Sequence, residues 1–413
     1  MSFAASLFGI SWGGSPGVGS DGFFSATYTG GGGPTFAGPA VDEQAALKVT
    51  AVYRAIAVIS EAVAMLPIDV MQRVGDRREE RSDHPVAELL RRPNPLMTAA
   101  DLRGAQQAHV LQYGNAYIDI QRDEGGRPIG LWPLLPDRTR AVGRDGPSGE
   151  RIIGYESVVD GLRYDFDTAN IAHVHGLAFD GIRGYSPLSL ARQAVGLALG
   201  LEEFGARFFG NDAKSGGFLE HPGKLGAEAQ KNLRESMAAQ GGLSQAHRIK
   251  ILEEGMKFSA TTIAPEDAQF LMTRTFQVEE IARLYGVPLH MLQSQAKSTS
   301  WGAGIAQMSL GFLIYTVAPW LVRWEQELER KLLSPAELAA GLFVRHNVNA
   351  LLRADAATRA GFYTAALNRA TGWMSRNEVR ALEDLNPDDV ELEGAEPGIP
   401  SFPQPEMDDG TND

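Results

Sequence analysis

The sequence predicts an α+β protein built of several modules, and three observations carry that expectation. The chain has 413 residues, more than one hydrophobic core usually holds. Its apolar pattern is helical at Ala46–Met65 and Thr98–Tyr113, then switches to period two between Ala116 and Val174. Helices then return, and two of them bracket a small strand–helix–strand insert running from Gly217 to Ser259.

Each element follows from its residues. Val52, Ile56, Ile59 and Val63 form one stripe of the first helix, and Pro67 ends it. Ile68 to Met71 alternates as a strand, and Asp76 to Asp83 reads as a charged turn. A short helix from His84 to Leu90 stops at Pro93-Asn94-Pro95, and Thr98 is placed to cap the next one. Strands are expected at 116–121, 129–134, 139–142, 152–159 and 171–174, separated by Gly, Pro and Asp turns. Ser186-Pro187 starts a helix reaching about Gly210. Gly196, Gly200 and Gly205 lower its helix propensity and point to close backbone packing. The insert has strands at 217–220, 248–252 and 256–259 and a helix from Gly226 to Ala239, stopped by Gly241-Gly242. Pro265-Glu266-Asp267 opens a helix that Tyr285-Gly286 and Pro288 close. A polar, Ser-rich stretch from Leu289 to Gly302 precedes a long helix, 303–333, which Pro319 should kink. Ser334-Pro335 begins a last helical region that includes 344–359, 361–371 and a start at Ser375.

Composition narrows the function. With no cysteine, a disulfide framework, an iron–sulfur cluster, a thiolate zinc site and a cysteine nucleophile are excluded. That fits assembly in a reducing cytoplasm. The first residues lack the basic start of a secretory signal. The most apolar helical run, Leu188 to Leu201, contains Arg192 and is too short to span a bilayer. The net charge of −13 is local in origin. Residues 381–413 hold 11 Asp or Glu and no Lys or Arg, which leaves 40 acids against 38 bases elsewhere. The body therefore carries no basic nucleic-acid footprint. Residues 1–40 hold 11 glycines and one charge, Asp21. Neither that arm nor the acidic tail has the composition to fold alone.

No catalytic motif is complete. Pro222-Gly223-Lys224 lacks the upstream glycine and following hydroxyl of a phosphate loop. His173-Val174-His175 places two histidines on one face of a strand, the best metal candidate, although no carboxylate motif completes it and a hydrogen-bonded strand face is the simpler expectation. A metal-dependent hydrolase would need them together with nearby aspartates, but Asp165 and Asp167 read as turn residues. Arg77-Arg78 and Arg91-Arg92 are interleaved with acids and read as solvated surface. Met272 and Phe276 read as helix packing.

Several strings, in order over Val41 to Pro387, resemble the portal (head–tail connector) protein family of long-tailed bacteriophages and phage-like gene-transfer particles. They include Val52-Tyr53-Arg54-Ala55-Ile56, His84-Pro85 with Pro93-Asn94-Pro95, and Gly114-Asn115-Ala116-Tyr117. Gly184-Tyr185-Ser186-Pro187-Leu188, Phe276 to Pro288, Pro319-Trp320-Leu321 and Asn377-Glu378-Val379-Arg380 continue the series. The resemblance implies a multi-module portal fold assembled as a ring. Residues 1–40 would be a flexible arm, 41–185 a wing, 186–212 and 265–287 two stem helices, and 213–264 the clip between them. Residues 288–302 would be a tunnel loop, 303–334 a long kinked helix, 335–390 a helical crown and 391–413 a disordered tail. It implies a dodecamer at a capsid vertex of the virion, assembled in the host cytoplasm, that passes double-stranded DNA without gripping it. Implied partners are a separate terminase ATPase, a head–tail adaptor at the clip and the major capsid protein at the wing, with no membrane, cofactor, metal or enzymatic activity of its own. In the tunnel loop, Lys297 would meet phosphate, while Gln293, Gln295, Ser298, Thr299, Ser300 and Trp301 would make transient contacts. A tail or baseplate ring adaptor is the nearest alternative.

Overall fold

A computed structural model describes residues 32–75, 77–145, 151–210, 217–224, 226–239, 256–260, 267–292, 303–348, 356–368 and 371–383. The chain divides into two units, 1–346 and 347–413.

The first unit opens with α1 (Glu43–Ala46), capped by Asp42, and α2 (Thr50–Met65). The predicted stripe of α2 is buried. The hairpin β1 (Ile68–Val74) and β2 (Arg77–Glu80) follows, then α3 (Pro85–Arg91), whose first turn His84 caps. Helix α4 (Ala99–Tyr113) starts in a capping box between Thr98 and Asp101. It ends at Gly114, which adopts φ +78.

Two antiparallel sheets come next. One has the order β4-β3-β8, from β3 (Asn115–Arg122), β4 (Pro128–Leu134) and β8 (Ile171–His175); the other has β5 (Thr139–Asp145), β6 (Arg151–Val159) and β7 (Leu162–Asp167) in sequence. Tyr117, Ala141, Tyr155 and Ile171 form a buried cluster that joins them.

The helical part begins with α5 (Pro187–Leu190) and α6 (Arg192–Gly210). The expected single helix is interrupted at Ala191, whose φ of −91 and ψ of 15 leave the α-helical region. Strand β9 (Gly217–Glu220), α7 (Ala227–Ala239) and β10 (Lys257–Ala260) make the insert, with β9 and β10 paired antiparallel. The expected strand at 248–252 lies outside the described residues. Helix α8 (Asp267–Tyr285) returns alongside α6. Next come α9 (Ala303–Phe312), a π-helical segment (Leu313–Val317) and α10 (Ala318–Leu332). Helix α10 packs on β8 and buries Trp324 and Leu328. Helix α11 (Pro335–Ala339) and strand β11 (Leu342–His346) close this unit. The second unit contains α12 (Ala356–Ala366) and α13 (Arg376–Leu382), the latter opened by a reciprocal Ser375–Glu378 cap.

The structure corrects several expectations. Residues 77–80 are a strand, not part of a turn. Their side chains are exposed, so backbone pairing with β1 and not burial defines the strand. Residues 342–346 add to the other edge of β1, from Ile68↔His346 to Gln72↔Leu342, where the pattern was read as helical from Val344. Asp165 and Asp167 sit on β7; the turn is the two-residue loop Asp160-Gly161, both at positive φ, between Val159 and Leu162. At Pro319, where a kink was expected, the helix runs on from the π-helical segment into α10. The preceding turn widens so that Ala318 N–H bonds Leu313 O, which makes room for a proline ring that would strike the carbonyl one turn back. Residues 32–40, part of the arm expected to be mobile, lie against α6. A Cβ on Gly196 would stand 2.4 Å from Thr35 Cγ2, which accounts for that glycine.

Gly114 and Gly184 meet backbone to backbone: a Cβ on Gly114 would fall 2.3 Å from Tyr185 O, and one on Gly184 2.0 Å from Gly114 O. Gly114→Ala should therefore destabilise the chain by about 3 kcal/mol, combining left-handed strain with a clash against immobile backbone. Gly75→Ala has a similar φ, +61, but open space around it. It should cost only about 1 kcal/mol. Urea unfolding of the two variants separates the effects.

Candidate functional site

Helices α6 and α8 pack side by side and bracket the β9–α7–β10 insert. Helix α8 buries Gln277, Ile281, Ala282 and Tyr285, and the Tyr285 hydroxyl donates to Leu111 O at 3.2 Å. The opposite face is not covered. Met272 is 71% and Phe276 50% exposed, so these two residues, expected to pack, do not pack within the single chain. The same holds along the long helix, where Met308, Leu310, Ile314, Tyr315 and Val322 are exposed and Tyr315 reaches 80%.

The polar stretch after α8 is held where it begins. Gly286 adopts φ +67, and its carbonyl accepts from Thr316 Oγ in the π segment at 2.6 Å. A short 3₁₀ turn, Leu289–Leu292, follows. Arg54 Nε on α2 donates to Met291 O at 3.4 Å. Gln293, Gln295, Lys297, Ser298, Thr299, Ser300 and Trp301 lie outside the described residues, between that turn and α9.

The histidine pair is part of the frame. His173 is 5% exposed. Its Nε2 pairs with Asn115 Oδ1 at 3.0 Å, its Nδ1 faces the Tyr155 hydroxyl at 3.3 Å, and its N–H donates to Glu327 Oε1 at 2.8 Å. Its ring stacks 4.4 Å from that of Tyr117. His175 Nδ1 meets Gly176 O at 2.9 Å. Burial holds His173 well below the ordinary histidine range, and His175 and the Lys331 and Arg330 cations add to that. Both ring nitrogens of His173 are already engaged by protein groups. Among the described residues, no group of three His, Cys, Asp or Glu could hold a metal ion. The paired-arginine clusters are surface groups, with Arg91 bound to Glu80 at 3.2 Å and Arg92 to Glu88 at 3.4 Å.

The geometry is thus of two packed helices bracketing an insert, a polar segment anchored where it leaves α8, and exposed apolar stripes. A family model described as phage portal protein matches residues 50–384. The chain belongs to the phage portal protein family. It is 35% identical over 351 residues to the portal protein of Enterobacteria phage HK97, covering 84% of this chain and 81% of that one. It is 36% identical over 363 residues to the probable portal protein of Streptomyces phage phiC31, covering 85% and 77%. Among solved structures it is similar to a chain in the neck of an empty gene transfer agent (GTA) particle computed with C6 symmetry, with TM-score 0.58, 26% identity, and coverage of 87% and 97%. An HK97-family portal protein from Corynebacterium diphtheriae, at 18% identity and TM-score 0.55 over 75% of this chain and 96% of that one, shares the fold. The portal family is a structural one, and this portal protein is a subunit of the ring at a capsid vertex. Among the described residues, no helix is long and apolar enough to cross a membrane.

The buried histidines set a pH dependence. Burial pushes His109 down to about 4 and His173 well below its ordinary value. Below about pH 6.5 the unfolded chain takes up protons that these residues refuse in the fold, so stability is full above that pH and falls as pH drops towards 4. The slope should reach about 1.4 kcal/mol per pH unit for each histidine. His109→Gln should flatten it, as measured by urea unfolding at pH 7, 6 and 5.

Proposed function

We propose that twelve copies of this chain form a ring through which double-stranded DNA enters and leaves the capsid. The uncovered face of α8 carries this reading. Met272 and Phe276, one turn apart on a helix whose other face is already packed, need a second surface to leave water, and a neighbouring copy in a ring supplies it. The exposed stripe on the long helix supports the same arrangement. A neck computed with C12 symmetry, whose chain has TM-score 0.56 and 25% identity to this one, supports the number twelve.

Within the ring, residues 41–185 serve as the wing that meets the major capsid protein, and α6 and α8 as the stem. The 213–264 insert is the clip that takes the head–tail adaptor, and 335–390 is the crown. The 293–301 segment faces the DNA, with Lys297 touching phosphate. A separate terminase docks on the ring and supplies the ATPase, so the portal itself catalyses nothing. Assembly takes place in the host cytoplasm.

The native mass of the purified chain, with negative-stain class averages, tests the ring. Twelve chains of 44.6 kDa give about 535 kDa around a hole wide enough for duplex DNA. Met272→Glu with Phe276→Glu should shift the population to far smaller species that stay folded. A monomer that binds one divalent metal per chain would instead reopen His173 and His175 and overturn the reading. Deleting 293–301 should leave the ring intact but impair DNA packaging or retention; unchanged packaging and retention would remove that segment from the mechanism.

A further inference from the structure

We propose that a cleft walled by the 122–128 turn, Thr168-Ala169 and the end of α10 binds a phosphate group, carried by a small molecule or by a nucleic-acid backbone. The inference is independent of ring assembly and of the 293–301 segment.

The cleft has a volume of about 700 Å³, within the range of small-molecule sites. Arg122, Arg127, Arg330 and Lys331 line it, and Glu337 is the one carboxylate on its wall among the described residues. That carboxylate is engaged: it accepts from the Ser334 N–H at 2.6 Å and meets the His84 ring at 2.9 Å. Arg330 is also engaged, through Nε to Glu327 at 3.0 Å. The other Glu327 oxygen takes the His173 N–H. Asp123, on the neighbouring turn, accepts the Arg127 backbone N–H at 2.8 Å.

Among the described residues, three of the cleft's cations have no carboxylate in ion-pair contact. The Arg122 guanidinium donates only to neutral oxygens: Asn170 Oδ1 at 3.3 Å, Gly126 O at 3.0 Å, Ala169 O at 2.9 Å and Lys331 O at 2.8 Å. These bonds fix its plane. Lys331 is 7% exposed, and its Nζ donates to Thr168 O. Arg127 is exposed and lines the cleft.

A buried ammonium whose facing carboxylate, Glu327, already pairs with Arg330 is costly. Burial lowers Lys331 to about 8; Glu327 opposes the shift, while Arg330 and Arg122 reinforce it. One fixed guanidinium, one buried ammonium and one exposed guanidinium suit a dianion with several acceptor oxygens. Phosphate meets that need in charge and geometry, whereas a single carboxylate would leave positive charge uncompensated.

Calorimetric titration of the full-length chain with pyrophosphate, in chloride buffer at constant ionic strength, tests the proposal. Saturable binding at one site per chain is expected. Arg127→Glu should weaken it about tenfold or more, with an unchanged thermal midpoint showing that the exposed substitution leaves the fold intact. Arg138→Glu, outside the cleft, should bind as the parent does. A short DNA duplex that competes with pyrophosphate identifies a nucleic-acid backbone as the source, and failure to compete identifies a small phosphate-bearing molecule. Absence of saturable binding, or equal binding by Arg127→Glu, overturns the proposal. So does an Arg127-dependent complex with a glutamate-rich peptide in the absence of pyrophosphate binding, which would make the cleft a protein dock.

Discussion

The Asn115 side chain holds together parts of the molecule that are far apart in sequence. Its amide nitrogen donates to Gly184 O at 2.8 Å, and its amide oxygen accepts from Gly184 N at 2.8 Å and pairs with His173 at 3.0 Å. The first two bonds copy a strand pairing with one side chain, and they form only because Gly114 and Gly184 let the backbones touch. His173 carries the link onward to Glu327 on α10. Ser186, two residues beyond Gly184, caps α5 and donates to Gln112 O at 2.7 Å. The direction in which the chain leaves the sheets for α5 and α6 is therefore set by buried hydrogen bonds, which lose most of their worth when any partner moves.

This arrangement explains why two short strings, Gly114-Asn115-Ala116-Tyr117 and Gly184-Tyr185-Ser186-Pro187, stood out in the sequence. They are two halves of one contact. Either alone is an unremarkable turn, and their meaning is the bond between them. Trp324 belongs to the same frame from the other side, fully buried with its indole N–H on Gln107 at 2.9 Å. Gln107 lies on α4, the helix that Gly114 ends.

Features with local causes were legible in the sequence. Thr98 and Ser186 are caps whose partners lie three residues away, and the stripe of α2 needs only its own periodicity. Features with distant causes were not. Strand β11 is defined by pairing with β1, more than 260 residues earlier in the chain. Strand β2 buries no side chain that could betray it. The alternation of His173 and His175 correctly put both on one face, but nothing near them announced Glu327. Exposed Met272 and Phe276 were misread because a single sequence does not distinguish an apolar side chain that packs inside its own chain from one that packs on a neighbour.

Charge follows a division of labour. Helix α6 carries two acidic and two basic residues, and α8 three acidic and two basic. Several of these charges pair along their own helix, as Arg207 does with Glu203 and Arg283 with Glu280. Such helices offer few free cations. Because affinity for DNA scales with the number of phosphates neutralised, a passage lined this way would hold a duplex weakly and let it slide. In the cleft beside Lys331, by contrast, Arg122 donates only to neutral oxygens, among them carbonyls of three separate segments, so no carboxylate takes up its charge there.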